Sequence, residues 1–209
     1  MNRDDIQVIE KTTPFQGYFR IDHYRMKHRL FEGGWSAEMS REVFERGHAV
    51  TVALYDPDLD KLVLIEQFRP GAMAAIASPW FADDASPWLI ETVAGIIDQG
   101  ETPEIVARRE AMEEANCEIK EIIPVCQYFV SPGGSSESIF VFCGRVDASS
   151  AGGVHGLEAE HENLRVFTVS PAQTFQWLDS GKISNAMTMI ALNWFRLNHQ
   201  KVRDIWLDA

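Results

Sequence analysis

Apolar and polar positions alternate at period two near the start of the chain. In residues 15–30, Phe19 and Ile21 share one face, and Tyr24 and Met26 share a face after a break in register, which predicts one or two strands. Gly33 and Gly34 make a turn, and residues 36–46 predict another strand. Three such strands would form a small antiparallel sheet, marginal alone, that must pack on the main domain or on a second subunit. Gly47-His48 marks a boundary. Residues 49–55 and 61–69 predict a hairpin around a turn from Asp56 to Asp60. Residues 70–87 lack periodicity and predict a long loop, and residues 88–93 predict a strand. Further strands are predicted over residues 119–130, interrupted near Pro124, over 138–146 and over 164–169. A tight loop at 131–136 and a polar, glycine-rich loop at 147–163 separate them. Ser170-Pro171 opens a helix running to about Asp179, and residues 185–198 form a second.

Between the first and second groups of strands lies a helix with explicit caps. Thr102 suits the N-cap, Pro103 the first helical position, and Glu104 adds negative charge where the helix dipole favours it. The helix therefore runs from about Pro103 to Ala115. The order of strands, one helix, strands and two helices predicts an α+β sandwich with helices on both faces of a mixed sheet.

On that helix Glu110 and Glu114 are four apart and Glu113 is three from Glu110, so all three project from one side. Like charges at this spacing destabilise a helix by roughly 0.2–0.5 kcal/mol per pair. From Asp98 to Glu114 there are six acids against two bases, Arg108 and Arg109. A hard divalent cation resolves such repulsion, because Mg²⁺ or Mn²⁺ prefers carboxylate oxygens and bridges to phosphate.

Composition narrows the partners. The 209 residues suffice for one substantial domain with an appendage, and a net charge of −12 argues against a nucleic-acid groove. The same charge means that an anionic substrate is not drawn in by the global field, so metals and local arginines must hold it. No stretch approaches the roughly 18 apolar residues of a membrane span, which predicts a cytoplasmic chain without membrane contact. Cys117, Cys126 and Cys143 lie in apolar surroundings and read as three buried free thiols rather than a disulfide frame or zinc site. EF-hand spacing is missing, which argues against a calcium-binding structural module.

The stretch from Gly95 to Cys117 resembles the Nudix box, G-x5-E-x7-R-E-U-x-E-E-x-G-U with U apolar, at Gly95, Glu101, Arg109, Glu110, Ala111, Glu113, Glu114 and Cys117. Asn116 stands where that family has Gly; Asn tolerates the left-handed conformation that ends many helices. The resemblance implies an α/β/α sandwich and metal-dependent hydrolysis of a nucleoside diphosphate linked to another moiety. It implies Glu110 and Glu114 as metal ligands, with the backbone carbonyl of Ala94 as a third. Glu101 would pair with Arg109, and Glu113 would share a metal or accept from Arg109.

Length, the N-terminal strands and the Ser131-Pro132-Gly133-Gly134 loop resemble a subgroup, the bacterial ADP-ribose pyrophosphatases. That likeness implies Glu160 as general base and Glu162 as a closing metal ligand on a mobile loop, with His161 exposed and incidental. It implies Tyr18 and Phe19 as adenine contacts, Arg41, Arg46 and Arg69 as phosphate contacts, Glu137 as a partner of a ribose hydroxyl, and Ser131 as a further substrate contact. It also implies a homodimer with shared active sites, in which residues 1–47 form the exchanging sheet and residues 48–209 the hydrolase domain. The expected reaction is ADP-ribose to AMP and ribose 5-phosphate. Another nucleoside diphosphate sugar, such as GDP-mannose, is the alternative substrate, and a non-catalytic nucleotide sensor the alternative class.

Overall fold

The computed structural model describes residues 1–157 and 161–208. The chain divides into two compact units, one of Met1–His48 with Tyr128–Ser138, the other of Ala49–Gln127 with Ile139–Ala209.

In the first unit a turn of 3₁₀ helix, Arg3–Asp5, leads into β1 (Ile6–Gln16), β2 (Arg20–His28) and β3 (Met39–Glu45), an antiparallel sheet in that order. The three-stranded sheet agrees with expectation, but its first strand begins at Ile6 rather than near residue 15. β1 is exposed along its whole length and its pairing with β2 shifts register twice, so it carries no alternation to read. Inside the sheet Asp22 accepts from Thr13 Oγ1 at 2.8 Å and meets Lys11 Nζ at 2.9 Å and Arg20 Nε at 3.0 Å. The 131–136 loop clips onto β3: Phe44 N–H donates to the Gly134 carbonyl at 2.8 Å, and Ser136 N–H to that of Phe44 at 3.1 Å.

The second unit is built on an eight-stranded mixed sheet. Its strands are β4 (Ala49–Asp56), β5 (Lys61–Phe68), β6 (Trp88–Glu91), β7 (Val93–Ile96), β8 (Glu121–Phe129), β9 (Ser138–Arg145), β10 (Gly153–His155) and β11 (Leu164–Val169). The main order is β10-β11-β5-β4-β9-β8, with β4 and β9 parallel. β4 and β5 pair with each other only beside their turn, from Leu54–Val63 to Asp56–Lys61. Beyond that they part, and the segment from Trp88 to Ile96 fills the gap, first along β5 as β6 and then along β4 as β7.

Four helices accompany this sheet among the described residues: α1 (Pro70–Ile76), α2 (Pro103–Ala115), α3 (Pro171–Asp179) and α4 (Ala186–Leu207). Alternation along β4 sets the layers. Val50, Val52 and Leu54 join Val106, Ala107, Ala111 and Ala115 of α2 in one core. On the opposite side of the strand, the Tyr55 ring lies 4.8 Å from Phe195 and 6.2 Å from Trp206, both on α4. Burial of side chains of this size is worth about 1.5–3 kcal/mol each, and helices therefore cover both faces.

Several predicted elements need correction. The stretch 70–87 opens with α1, nucleated by Pro70 at the first helical position. β8 runs unbroken through Pro124 because it is an edge strand, where a missing N–H is tolerated. The glycine-rich stretch after residue 146 contains β10. α4 continues past Asn198, since Val202 and Trp206 remain buried. Cys117 and Cys143 are buried free thiols, whereas Cys126 is exposed on β8. No helix among the described residues is long and apolar enough to cross a membrane.

Candidate active site

α2 starts as its caps predict: Thr102 Oγ1 accepts from Ile105 N–H at 3.4 Å, with Pro103 next. It ends at Asn116, which adopts the left-handed conformation (φ 51°, ψ 40°) and donates its N–H back to the last turn. Asn thus takes the place of a glycine at this cap. The apolar positions of α2 seat it on the sheet, and that seating carries Glu114 inward, leaving 3% of the residue exposed. Glu110 is one turn earlier on the same face.

The two carboxylates lie against the backbone of β7. Ala94 N–H donates to Glu114 Oε2 at 3.1 Å. Gly95 passes directly beneath Glu110: a Cβ there would stand 1.8 Å from Glu110 Oε1. The glycine at the head of the motif is therefore required by the carboxylate fifteen residues later, not by its own backbone angles.

Arg109 gathers the remaining acids. Its Nε donates to Glu101 Oε1 at 3.1 Å, and Nη2 to Glu101 Oε2 at 3.3 Å. Its Nη1 donates at 2.8 Å both to Glu110 Oε1 and to Glu113 Oε2. Asp98 N–H donates to Glu101 Oε2 at 3.1 Å, and this bond together with Arg109 holds the Glu101 carboxyl below its usual range, the arginine being the larger cause.

Charge in this pocket is under-compensated. Burial pushes Glu110 up to about 7; Arg109 opposes the shift, and the charges of Glu113 and Glu162 add to it. Burial pushes Glu114 up to about 8, the Ala94 N–H and Arg69 opposing, Glu110 and Glu162 adding. Two carboxyls that hold protons near neutrality, with a third acid acting on both, form a hard-oxygen donor set short of a cation. Gly95, lacking a Cβ, makes room for the Glu110 carboxylate itself, which brings a hard oxygen donor against the β7 backbone. Among the described residues no three His, Cys, Asp or Glu side chains are already converged as a ligand shell; Arg109 Nη1 instead pairs with Glu110 and Glu113.

Arg69 belongs to the same unit, and its guanidinium is fixed by a residue that sequence reading missed. Glu91 Oε2 accepts from Arg69 Nε at 2.8 Å and from Gln67 Nε2 at 3.0 Å. Only the alternation of β5 and β6 hinted at this, since their pairing puts Gln67 and Glu91 on one face. Glu162 Oε2 accepts from Leu157 N–H at 3.2 Å. Glu160, expected as the general base, lies outside the described residues.

The other expected contacts lie in the first unit. Tyr18, 85% exposed, meets Phe19 edge-on at 4.8 Å, and Phe19 meets Phe44 at 5.0 Å. Arg46 stands over the Phe19 ring at 5.5 Å and reaches Glu137 Oε1 at 3.4 Å. Arg41 donates to the carbonyl of Ser40 at 2.7 Å. The Ser131 carbonyl accepts from Gly134 and Ser135 N–H. The structure thus brings together Ala94, Glu101, Arg109, Glu110, Glu113 and Glu114, with Arg69 and Glu162 within reach of their charge, and gathers Phe19, Arg46 and Glu137 as a separate group.

Residues 45–189 match the NUDIX domain family. The chain belongs to the Nudix hydrolase family. It is 46% identical over 204 residues to the ADP-ribose pyrophosphatase of Escherichia coli (strain K12), covering 98% of this chain and 94% of that one. To the ADP-ribose pyrophosphatase of Haemophilus influenzae it is 38% identical over 205 residues, covering 98% and 92%. To a GDP-mannose pyrophosphatase of Shigella flexneri it is 33% identical over 163 residues, covering 76% and 78%. Among solved structures, an ADP compounds hydrolase shares the fold with a TM-score of 0.69 over 95% of this chain and 97% of that one, at 17% identity.

Proposed function

We propose that the chain hydrolyses the pyrophosphate bond of ADP-ribose, giving AMP and ribose 5-phosphate, with Mg²⁺ as cofactor and Mn²⁺ as a substitute. The observation that carries this reading is the pair Glu110 and Glu114, buried against Ala94 and Gly95 and titrating near 7 and 8. The likeness to two ADP-ribose pyrophosphatases over nearly the whole chain supports the choice of substrate.

In this reading Glu110, Glu114, Glu162 and the Ala94 carbonyl hold the metal. When bound, a divalent cation neutralises phosphate oxygens and makes water a stronger acid. Glu160 takes the proton of the attacking water. Arg109, anchored by Glu101, keeps Glu110 and Glu113 aimed from one side. Arg69, fixed by Glu91, presents a guanidinium suited to bidentate phosphate contact. Tyr18 and Phe19 are proposed contacts to the adenine, Arg41 and Arg46 to phosphate, Glu137 to a ribose hydroxyl, and Ser131 to the substrate. The chain is proposed to act as a homodimer through its N-terminal sheet, residues 1–47, beside a hydrolase domain of residues 48–209. Free thiols throughout suit a cytoplasmic setting.

The test is product release from ADP-ribose, GDP-mannose, UDP-glucose, NADH and diadenosine polyphosphates, with and without Mg²⁺. Mg²⁺-dependent AMP from ADP-ribose, well above the rest, is expected. Preference for GDP-mannose would overturn the substrate and keep the metal chemistry; no turnover of any compound would favour a nucleotide sensor.

A further inference from the structure

Thr92 stands where the chain passes from the β5 edge to the β4 edge, and it belongs to neither β6 nor β7. Its backbone N–H leaves the sheet and donates to Thr188 Oγ1, in the first turn of α4, at 3.0 Å. Thr188 Oγ1 lies 3.2 Å from Thr92 Oγ1, which lies 2.7 Å from Thr51 Oγ1. Thr51 Oγ1 donates to the Val93 carbonyl at 3.0 Å. All three threonines are fully buried.

The proton order follows from having one hydrogen per hydroxyl. Thr51 gives its hydrogen to Val93, so Thr92 must donate to Thr51, and Thr188 to Thr92. The three hydroxyls form one directed chain from α4 to the β7 backbone. Asn185 reinforces it: Oδ1 caps Thr188 N–H at 3.0 Å, while Nδ2 donates to the Ile90 carbonyl at 2.9 Å.

The crossing that these residues secure has the site on both sides. Glu91, one residue before Thr92, holds Arg69. Ala94, two residues after, donates to Glu114, and Gly95 lies under Glu110. We propose that Thr188, Thr92 and Thr51 are positioning residues for the acidic site, setting the β7 backbone at the depth where Glu110 and Glu114 can share a cation. This rests on the metal-dependent reading above. None of the three is assigned a contact with substrate or metal; they act through Ala94, Gly95 and Glu91.

The test compares Thr188→Val, which keeps the shape and loses the hydroxyl, with Thr188→Ser, which keeps the hydroxyl. Mn²⁺ binding is followed by electron paramagnetic resonance without substrate, alongside kcat, KM for ADP-ribose and thermal melting. Thr188→Val should bind Mn²⁺ about 10-fold more weakly, within the range seen when the support of a metal ligand is removed. Its kcat should fall with the affinity while KM stays close to wild type, and Thr188→Ser should restore both. A Thr188→Val protein that melts earlier but keeps wild-type Mn²⁺ affinity and kcat would overturn the proposal, leaving the hydroxyls a purely structural role. Should Thr188→Val fail to fold, Thr51→Val against Thr51→Ser carries the same comparison with the same deciding outcomes. A wild-type chain that binds no Mn²⁺ would overturn the metal reading itself, and with it this inference, which distinguishes the two failures.

Discussion

Asp22 and Glu114 are both buried carboxylates, and the chain treats them in opposite ways. Asp22 sits in the N-terminal sheet with Lys11, Arg20 and Thr13 around it, and these partners, Lys11 first, hold its carboxyl below the ordinary range. Glu114 sits on α2 with one backbone N–H, an acid one turn away and its pKa near 8. One charge is balanced within its own sheet; the other lies beside Glu110, whose partner Arg109 is shared with Glu101 and Glu113, and the pair is left short of positive charge. A buried acid that the fold neutralises is architecture, and one that it leaves short of positive charge is a binding site.

The largest effects should come from removing the unbalanced acids. Glu110→Gln or Glu114→Gln should abolish metal-dependent turnover, and at pH 8 each should raise the metal-free melting temperature, because a repelled buried charge is gone. Retained activity at saturating Mg²⁺ would remove that residue from the metal shell. Glu160→Gln should lower kcat by roughly 10²–10⁴, the reach of general-base catalysis, and a change below about threefold would move the base elsewhere. Gly95→Ala puts a methyl where Glu110 Oε1 now lies, 1.8 Å from the new Cβ. The flexible carboxylate can swing aside, so the protein should fold, but kcat should drop by about 10²-fold, as for a catalytic group displaced by about 1 Å. Circular dichroism checks the fold, and steady-state kinetics the loss.

Smaller effects separate the two acids by pH. Glu110 and Glu114 hold their protons in the fold well above the ordinary 4.5 of a glutamate, to about 7 and about 8. Their contribution to stability is therefore complete below that ordinary value and is lost as pH rises through 7 and 8. Asp22, depressed, contributes above the ordinary 3.8 of an aspartate and loses its contribution as pH falls through its folded value. Melting of the metal-free protein should thus decline toward pH 8, and Mn²⁺ should remove that decline. Asp22→Asn should lower the melting temperature at neutral pH and leave Mn²⁺ affinity unchanged. A loss of affinity there would end the contrast between the two acids.

The acidic helix was legible because its determinants are local. Thr102, Pro103 and Asn116 bound it, and Glu101, Arg109 and Glu113 meet within a few turns. Glu91 was not legible as the anchor of Arg69, because the pairing spans 22 residues and depends on how β5 and β6 align. The Thr51–Thr92–Thr188 chain was still less so, since its links span 41 and 96 residues and each threonine alone reads as an ordinary strand or helix residue. β1 escaped for another reason: with every position exposed, it has no buried face to impose a period.

The most direct measurement is the proton count on metal binding. Mn²⁺ would be titrated calorimetrically into the metal-free protein at pH 7 in two buffers of different ionisation enthalpy. With Glu110 near 7 and Glu114 near 8, filling the site should release on the order of one proton, because ligands must deprotonate to bind. Binding with no proton release, or release undiminished in Glu114→Gln, would mean that the buried acids of α2 are not where the metal goes.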